Sequence, residues 1–274
     1  MATIPSTQKL TPVGYEYEEF GKVRYIGLEL ETTRNMNVLP QVDGIQWNLD
    51  HWGGLPKEER EAVEKIMDES GKLIAMVGCD GGDIEIATQP LSRGIVRHNM
   101  ELDQFLRNYN LFCIPDERSG THVHISRLST DKRNLWRNLY WFSVVYDKQL
   151  YAIFRRRSNW ALSPKKKLQL LGKTKVSIND ISDLKYPGFG NKGTLIIRRE
   201  NTYECRGGSA STSSQEIKAW ALLFYNIVEF CNQTTIVGHR FEEVLPEGEW
   251  GEMLRDRLTG EQQRQICPID LYLN

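Results

Sequence analysis

Apolar and polar positions alternate along Val23–Thr32 (VRYIGLELET), the pattern of a strand with one buried face. A polar stretch follows, and then Pro56 and Gly71 bracket a helix predicted from about Pro56 to Glu69. The segment LIAMVGCDGGDIEIATQPL reads as two short strands around a glycine turn at Asp80–Asp83. Ser92 is a suitable N-cap for a helix running to about Asn108. Alternation returns at Gly120–Ser126 (GTHVHIS), and a long helix with aromatics along its apolar side is predicted from about Asp131 to Arg156. A basic, poorly periodic stretch comes next, followed by strands at TLIIRRE and TYECRGG. Ser213 or Ser214 then caps a helix to about Asn232, and a short helix is expected near Trp250–Leu258.

Strands thus arrive as hairpin neighbours as well as between helices, without the strict repeat of a doubly wound fold. The expectation is an α+β fold, a mixed or antiparallel sheet backed by long helices. No linker divides residues 1–274, so one domain is expected, with residues 1–20 a loose lead-in and 233–274 a C-terminal extension. At 274 residues, 40% hydrophobic and 26% charged, the chain can bury a substantial core.

The formal net charge of −1 supplies no global field for nucleic acid or an anionic membrane, so phosphate chemistry has to rest on local clusters. The N-terminal stretch lacks an apolar h-region, and no run is long and apolar enough to span a bilayer. A soluble, cytoplasmic protein is expected. The five cysteines (Cys79, Cys113, Cys205, Cys231, Cys267) form no CxxC pair and read as scattered reduced thiols. Neither GxxxxGK[ST] nor a GxGxxG after a strand is present, which removes support for a P-loop or a Rossmann site.

Four strand-like segments carry the candidate chemistry. In GLELE, Glu29 and Glu31 leave one face of the strand while Leu28 and Leu30 leave the other. Taken alone this is a solvated outer face, but adjacent carboxylates that repel are also what a divalent cation neutralises. In GTHVHIS, His122 and His124 share a face in a chain with only five histidines, suiting metal or phosphate contact, with hydrogen-bonded surface histidines as the alternative. In TYECRGG, Glu204 and Arg206 share a third face, either as a plain ion pair or as a metal ligand beside a phosphate clamp. In CDGGDIEIATQPL, Glu85 lies between Ile84 and Ile86, Asp83 is two residues before it, and Asp80 heads the turn, where an Asx cap is the alternative role.

Together these supply acids, imidazoles and a guanidinium on alternating strands, a set that suits Mg²⁺ or Mn²⁺ better than zinc because the acids are in excess. The run FRRRSNWALSPKKK adds Arg155, Arg156, Arg157, Lys165, Lys166 and Lys167 around Trp160. It reads as a solvated helix end, as contacts to a triphosphate or anionic substrate, or as a nucleic-acid groove, the last disfavoured by the near-neutral charge.

In this order, GLELE, CDGGDIEIATQPL, GTHVHIS, RRRSNWALSP and YECRGGSAS resemble the amidoligase family, a branch of the glutamine synthetase and glutamate–cysteine ligase superfamily. The likeness spans about residues 25–232. It implies a curved antiparallel funnel with helices outside, and ATP with two or three Mg²⁺ or Mn²⁺ ions. It implies that Glu29 and Glu31 serve different ions. Glu85, with Asp80, would join Glu31, while His122 and Glu204 would join Glu29. It places His124 near the nucleotide, Arg206 near the transferring phosphate, and Arg156 and Arg157 against phosphate or the acid substrate. Glu204, Glu85 and Arg206 would be the groups closest to the chemistry. The turn reads DGGD where relatives more often have DGS, leaving Asp80 and Asp83 as alternatives.

The activity so implied is ATP-dependent amide formation through an acyl phosphate, joining a small-molecule, peptide or protein carboxylate to an amine. Gly188–Gly193 (GFGNKG) is a candidate lid or a plain surface turn. A metal-dependent hydrolase on the same acids, and a non-catalytic binding or structural protein, are the alternatives.

Overall fold

The alternating segments pair into one antiparallel sheet whose apolar side is covered by helices. The computed structural model describes residues 22–34, 64–67, 73–80, 83–88, 90–98, 113–114, 119–155, 161–179, 193–199, 201–211, 213–233 and 235–273. The strands are β1 (Ile26–Arg34), β2 (Glu64–Met67), β3 (Leu73–Asp80), β4 (Asp83–Thr88), β5 (Cys113–Ile114), β6 (Gly120–Ser126), β7 (Ala161–Leu162), β8 (Lys175–Ser177), β9 (Gly193–Thr194), β10 (Ile196–Arg198), β11 (Thr202–Ser209) and β12 (Asp270–Tyr272). The helices are α1 (Arg93–His98), α2 (Leu135–Val145), α3 (Asp147–Phe154), α4 (Pro164–Leu170), α5 (Ser214–Cys231), α6 (Glu249–Arg255) and α7 (Gly260–Arg264). Among the described residues the main sheet runs β10-β11-β6-β1-β4-β3-β2, with β5 also paired to β1. Mixed helices and an antiparallel sheet make this an α+β fold.

The period-two pattern decides which side of the sheet is covered. Ile26, Leu28 and Leu30 of β1, Val123 and Ile125 of β6, and Tyr203 and Cys205 of β11 are all buried in one apolar cluster. The same cluster holds Leu139, Phe142, Trp220, Leu223 and Phe224 from α2 and α5. Helix α5 crosses β1, β6 and β11, and α2 lies against β10 and α5. Ser213 caps α5, its hydroxyl accepting from the Glu216 amide at 3.2 Å. The intervening residues of the three central strands are therefore turned to the opposite face of the sheet.

Arg24, just before β1, is buried in the joint between sheet and helices. Its guanidinium pairs with Asp131 and Glu229 and donates to the Ser126 carbonyl at 2.8 Å. Burial works against its charge, but the two carboxylates prevail and raise its pKa further.

Several predicted elements differ from those observed. Within the stretch predicted as a helix over Pro56–Glu69, Glu64–Met67 is an edge strand paired with β3, Glu64 opposite Val77. The helix signals there are local, and an open neighbouring strand supplies backbone partners that outweigh them. The helix after Ser92 is observed over Arg93–His98, and its predicted continuation lies outside the described residues. The single helix predicted over Asp131–Arg156 is two helices. It starts late because the Asp131 carboxylate is held by Arg24 and by the Leu128 amide at 3.0 Å. It bends at Tyr146 (φ −99, ψ 27), whose ring packs on Phe142 and Phe241 and whose hydroxyl donates to the His239 carbonyl at 2.8 Å. It ends at Phe154 because Arg155 turns left-handed (φ 58) and bridges to Gly208 of β11.

Helix α4 was not expected within the basic run. Ser163 caps it and Pro164 opens it, and it carries Lys165, Lys166 and Lys167 against α2. The C-terminal residues belong to the helical layer: Trp141 Nε1 donates to the Pro268 carbonyl at 2.9 Å, and β12 pairs with β8. Residues 1–21 lie outside the described residues. Among the described residues no helix is long and apolar enough to cross a membrane.

Strand β11 carries a bulge. Cys205 pairs with Val123, but the next pair is Gly208 with Thr121, so β11 advances three residues while β6 advances two. Gly208 thereby faces the helices, where an added Cβ would lie 2.6 Å from the Thr121 carbonyl and 3.2 Å from the Trp220 ring. Gly208→Ala is expected to lower stability by about 1–3 kcal/mol, the usual cost of forcing extra volume into a packed site. Chemical denaturation of the two proteins measures this; equal midpoints would contradict the bulge packing.

Candidate functional site

On the sheet face opposite the α2 and α5 layer, register brings the sequence motifs together. Glu29 is opposite His122 across β1 and β6, and His124 is opposite Glu204 across β6 and β11. Glu31 is opposite Glu85 across β1 and β4, and Asp80 is opposite Asp83 at the end of the β3–β4 hairpin. The side chains of Asp80, Asp83 and Glu85 lie outside what the structure describes, as do Arg156 and Arg157 and residues 188–192 of the candidate lid, Gly193 alone falling in β9.

His122 is completely buried, with Nδ1 3.2 Å from Glu29 Oε2 and 3.6 Å from Glu204 Oε1, and Nε2 3.6 Å from Glu31 Oε2. It sits among three carboxylates from two strands and holds them in register. His124 is arranged differently. Its Nδ1 meets Thr202 Oγ1 at 3.2 Å, and its Nε2 lies 3.1 Å from Glu29 Oε1. That nitrogen is buried without a hydrogen-bond partner. In the neutral ring with Nδ1–H donating to Thr202, Nε2 would offer a lone pair to a metal, the ring oriented by that second group; in the charged ring it pairs with Glu29.

Ligand atoms of Glu29, His124 and Glu204 lie within 4.8 Å of one another, a spacing compatible with one shared cation. The resemblance had grouped His122 with Glu29 and Glu204 and placed His124 nearer the nucleotide. The geometry brings His124 within the same range of these acids, and His122 also lies within 3.6 Å of both. The donor set of two carboxylates and one imidazole suits Mn²⁺ or Mg²⁺, and the orphaned Nε2 is what such an ion would satisfy.

Glu204 is fully buried and bonded from both sides. Arg206 Nη1 donates to its Oε1 at 2.6 Å, and Arg199 Nε donates to its Oε2. Arg206 Nη2 also comes within 4.0 Å of Glu31 Oε1. Burial disfavours the charge on Glu204, but His124, Arg199, His122 and Arg206 overcome it and lower its pKa. Glu29 behaves likewise: burial pushes it up, and His124 and His122 pull it well below the ordinary 4.5. For His124, burial opposes charging, yet Glu29 and Glu204 raise its pKa above 6.5. Cys231 and Cys267 are free buried thiols, burial pushing Cys267 up to about 12.

Arg199 and Thr202 were not singled out in the sequence. They flank the β10–β11 hairpin, the Arg199 amide donating to the Thr202 carbonyl at 2.8 Å. Ile197 is opposite Glu204, so Arg199, two residues on, shares the Glu204 face. The two polar residues between TLIIRR and TYECRGG were the available signal, a tight hairpin loop from which this register follows.

Searches against models of protein families and against curated proteins return no match for the chain.

Two outcomes are expected. Thr202→Val should weaken Mn²⁺ binding about tenfold by freeing the His124 ring, as loss of an orienting partner commonly does; free-Mn²⁺ electron paramagnetic resonance reads this, and unchanged affinity contradicts it. The second concerns pH in chelator. The folded pKa of His124 is raised, so its contribution is complete below 6.5 and is lost as pH climbs through the folded value. The depressed Glu29 contributes fully above 4.5 and fades as pH falls towards its folded value. Melting temperatures of wild type and His124→Gln should therefore differ most between pH 4.5 and 6.5 and converge at higher pH. A gap that stays constant with pH would remove the ion pair from the account.

Proposed function

We propose that the chain is an ATP-dependent carboxylate–amine ligase of the amidoligase kind, its sheet curved into a funnel around the site. The observation that carries this reading is the meeting, on one sheet face, of Glu29, Glu31, Glu204, His122, His124, Arg199 and Arg206, with an imidazole nitrogen buried and unsatisfied among the acids. With both imidazoles neutral, three carboxylates and two guanidiniums leave a formal excess of one negative charge among these groups. That favours a cation first and a polyphosphate after it.

Glu29, Glu204 and His124 would hold one Mg²⁺ or Mn²⁺ ion, and Glu31 with Glu85 and Asp80 would supply acids for another; such ions would neutralise charge during phosphoryl transfer. Arg206, fixed by Glu204, faces the moving phosphoryl group and stabilises its charge. A substrate carboxylate attacks the γ-phosphorus, giving an acyl phosphate and ADP. An amine then attacks the acyl carbon, losing a proton and expelling inorganic phosphate to leave the amide. The burial of His122, Glu204 and Arg206 favours this chemistry by limiting water at the sheet surface.

The test is to incubate the protein with ATP and Mg²⁺ or Mn²⁺ against panels of acids and amines, following ADP and product mass, with hydroxylamine as a general amine. Hydroxamate formation dependent on ATP and on one acid is expected, with Arg206→Gln slowing it by about 10²-fold. ATP turnover without any coupled product, or acid release from an ester or amide without ATP, would favour a hydrolase instead.

A further inference from the structure

If Glu204 binds a cation, as the reading above has it, it does so from a position already taken by positive charge. Its two arginines are not equivalent. Arg206 lies within β11, its side chain 10% exposed and also reaching towards Glu31. Arg199 lies beyond the end of β10 at the hairpin mouth, its side chain 33% exposed. Among the described residues Glu204 is the one carboxylate that Arg199 pairs with, although Glu29 also contributes to its raised pKa after burial and Glu204 are counted.

A divalent ion drawn to Glu29, His124 and Glu204 would share Glu204 with a guanidinium at hydrogen-bond range. Two cations on one carboxylate repel, and the group that gives way is the one with water to move into. Arg206 has little such space, and Arg199 has it. The same guanidinium, once free, sits beside a newly cationic site with its planar fork of donors unpaired, a match for phosphate oxygens.

We propose that Arg199 is a displaceable internal counter-ion that neutralises Glu204 in the cation-free protein and is released by cation uptake to bind the phosphates of the nucleotide. Cation and triphosphate binding are then coupled through one side chain, and the metal-free site is kept from binding ATP unproductively. Arg199 acts as a positioning and recognition residue rather than a reacting group.

The test uses the full chain, Mn²⁺ and the non-hydrolysable triphosphate AMP-PNP. In Arg199→Gln, Mn²⁺ without nucleotide should bind about tenfold tighter, while AMP-PNP in saturating Mn²⁺ should bind about tenfold weaker, the scale of an ordinary coupling between sites. Opposite signs in the two affinities are what a merely structural role would not produce. Mn²⁺ affinity that is unchanged or weaker in the variant overturns the proposal. On the wild-type protein, the Arg199 Nε–H resonance, assigned by its loss in Arg199→Lys, should leave its carboxylate-bonded position when Mg²⁺ is added and shift again with AMP-PNP. A resonance unmoved by saturating Mg²⁺ overturns the proposal without relying on the glutamine variant. Wild-type protein that takes up neither ion would instead sink the metal reading on which this rests.

Discussion

The arrangement depends on holding like charges together on one side of a sheet. Ligand atoms of Glu29 and Glu204 lie within 4.8 Å of one another and of His124. At an effective dielectric of about 20, two unit charges at such a spacing interact by roughly 3.5 kcal/mol, a large fraction of a domain's net stability. The protein answers with imidazoles and guanidiniums from neighbouring strands. His122 stands between Glu29, Glu31 and Glu204, and Arg199 and Arg206 hold Glu204 from either side. Each compensating group comes from a different place in the chain, so the charge balance exists only when β1, β6, β10 and β11 are in register.

The opposite side of the sheet provides the rigidity for this. Leu28, Leu30, Val123, Ile125, Tyr203 and Cys205 alternate with the charged residues and lock into the layer formed by α2 and α5. A slip of one residue in any of these strands would bury a carboxylate against the helices and expose an aliphatic side chain, so the apolar face enforces the polar one. The bulge in β11 is where the two requirements meet. The extra residue between Cys205 and Gly208 lets Arg206 stay on the charged face while Gly208 closes against Trp220 and Thr121.

Several site residues were legible one strand at a time. GLELE, GTHVHIS and TYECR each announced a face of functional groups through period-two alternation alone, since that alternation is a local property of extended backbone. Which histidine meets which acid was not legible. His122 and His124 have the same local pattern, and only strand pairing puts one among Glu29, Glu31 and Glu204 and the other between Thr202 and Glu29. Arg199 was passed over for a related reason: its role depends on the hairpin register, not on its immediate neighbours.

Composition and alternation by themselves determined an α+β chain with one apolar and one chemically loaded sheet face, because side-chain period and core-forming capacity are written locally. Tertiary structure alone decided the rest. An edge strand replaced a predicted helix at Glu64–Met67, a tyrosine bent the long helix at Tyr146, and a shared carboxylate drew Arg199 into the site. In each case a partner distant in sequence supplied more free energy than the local signal, and nothing in a short window of residues specifies that partner.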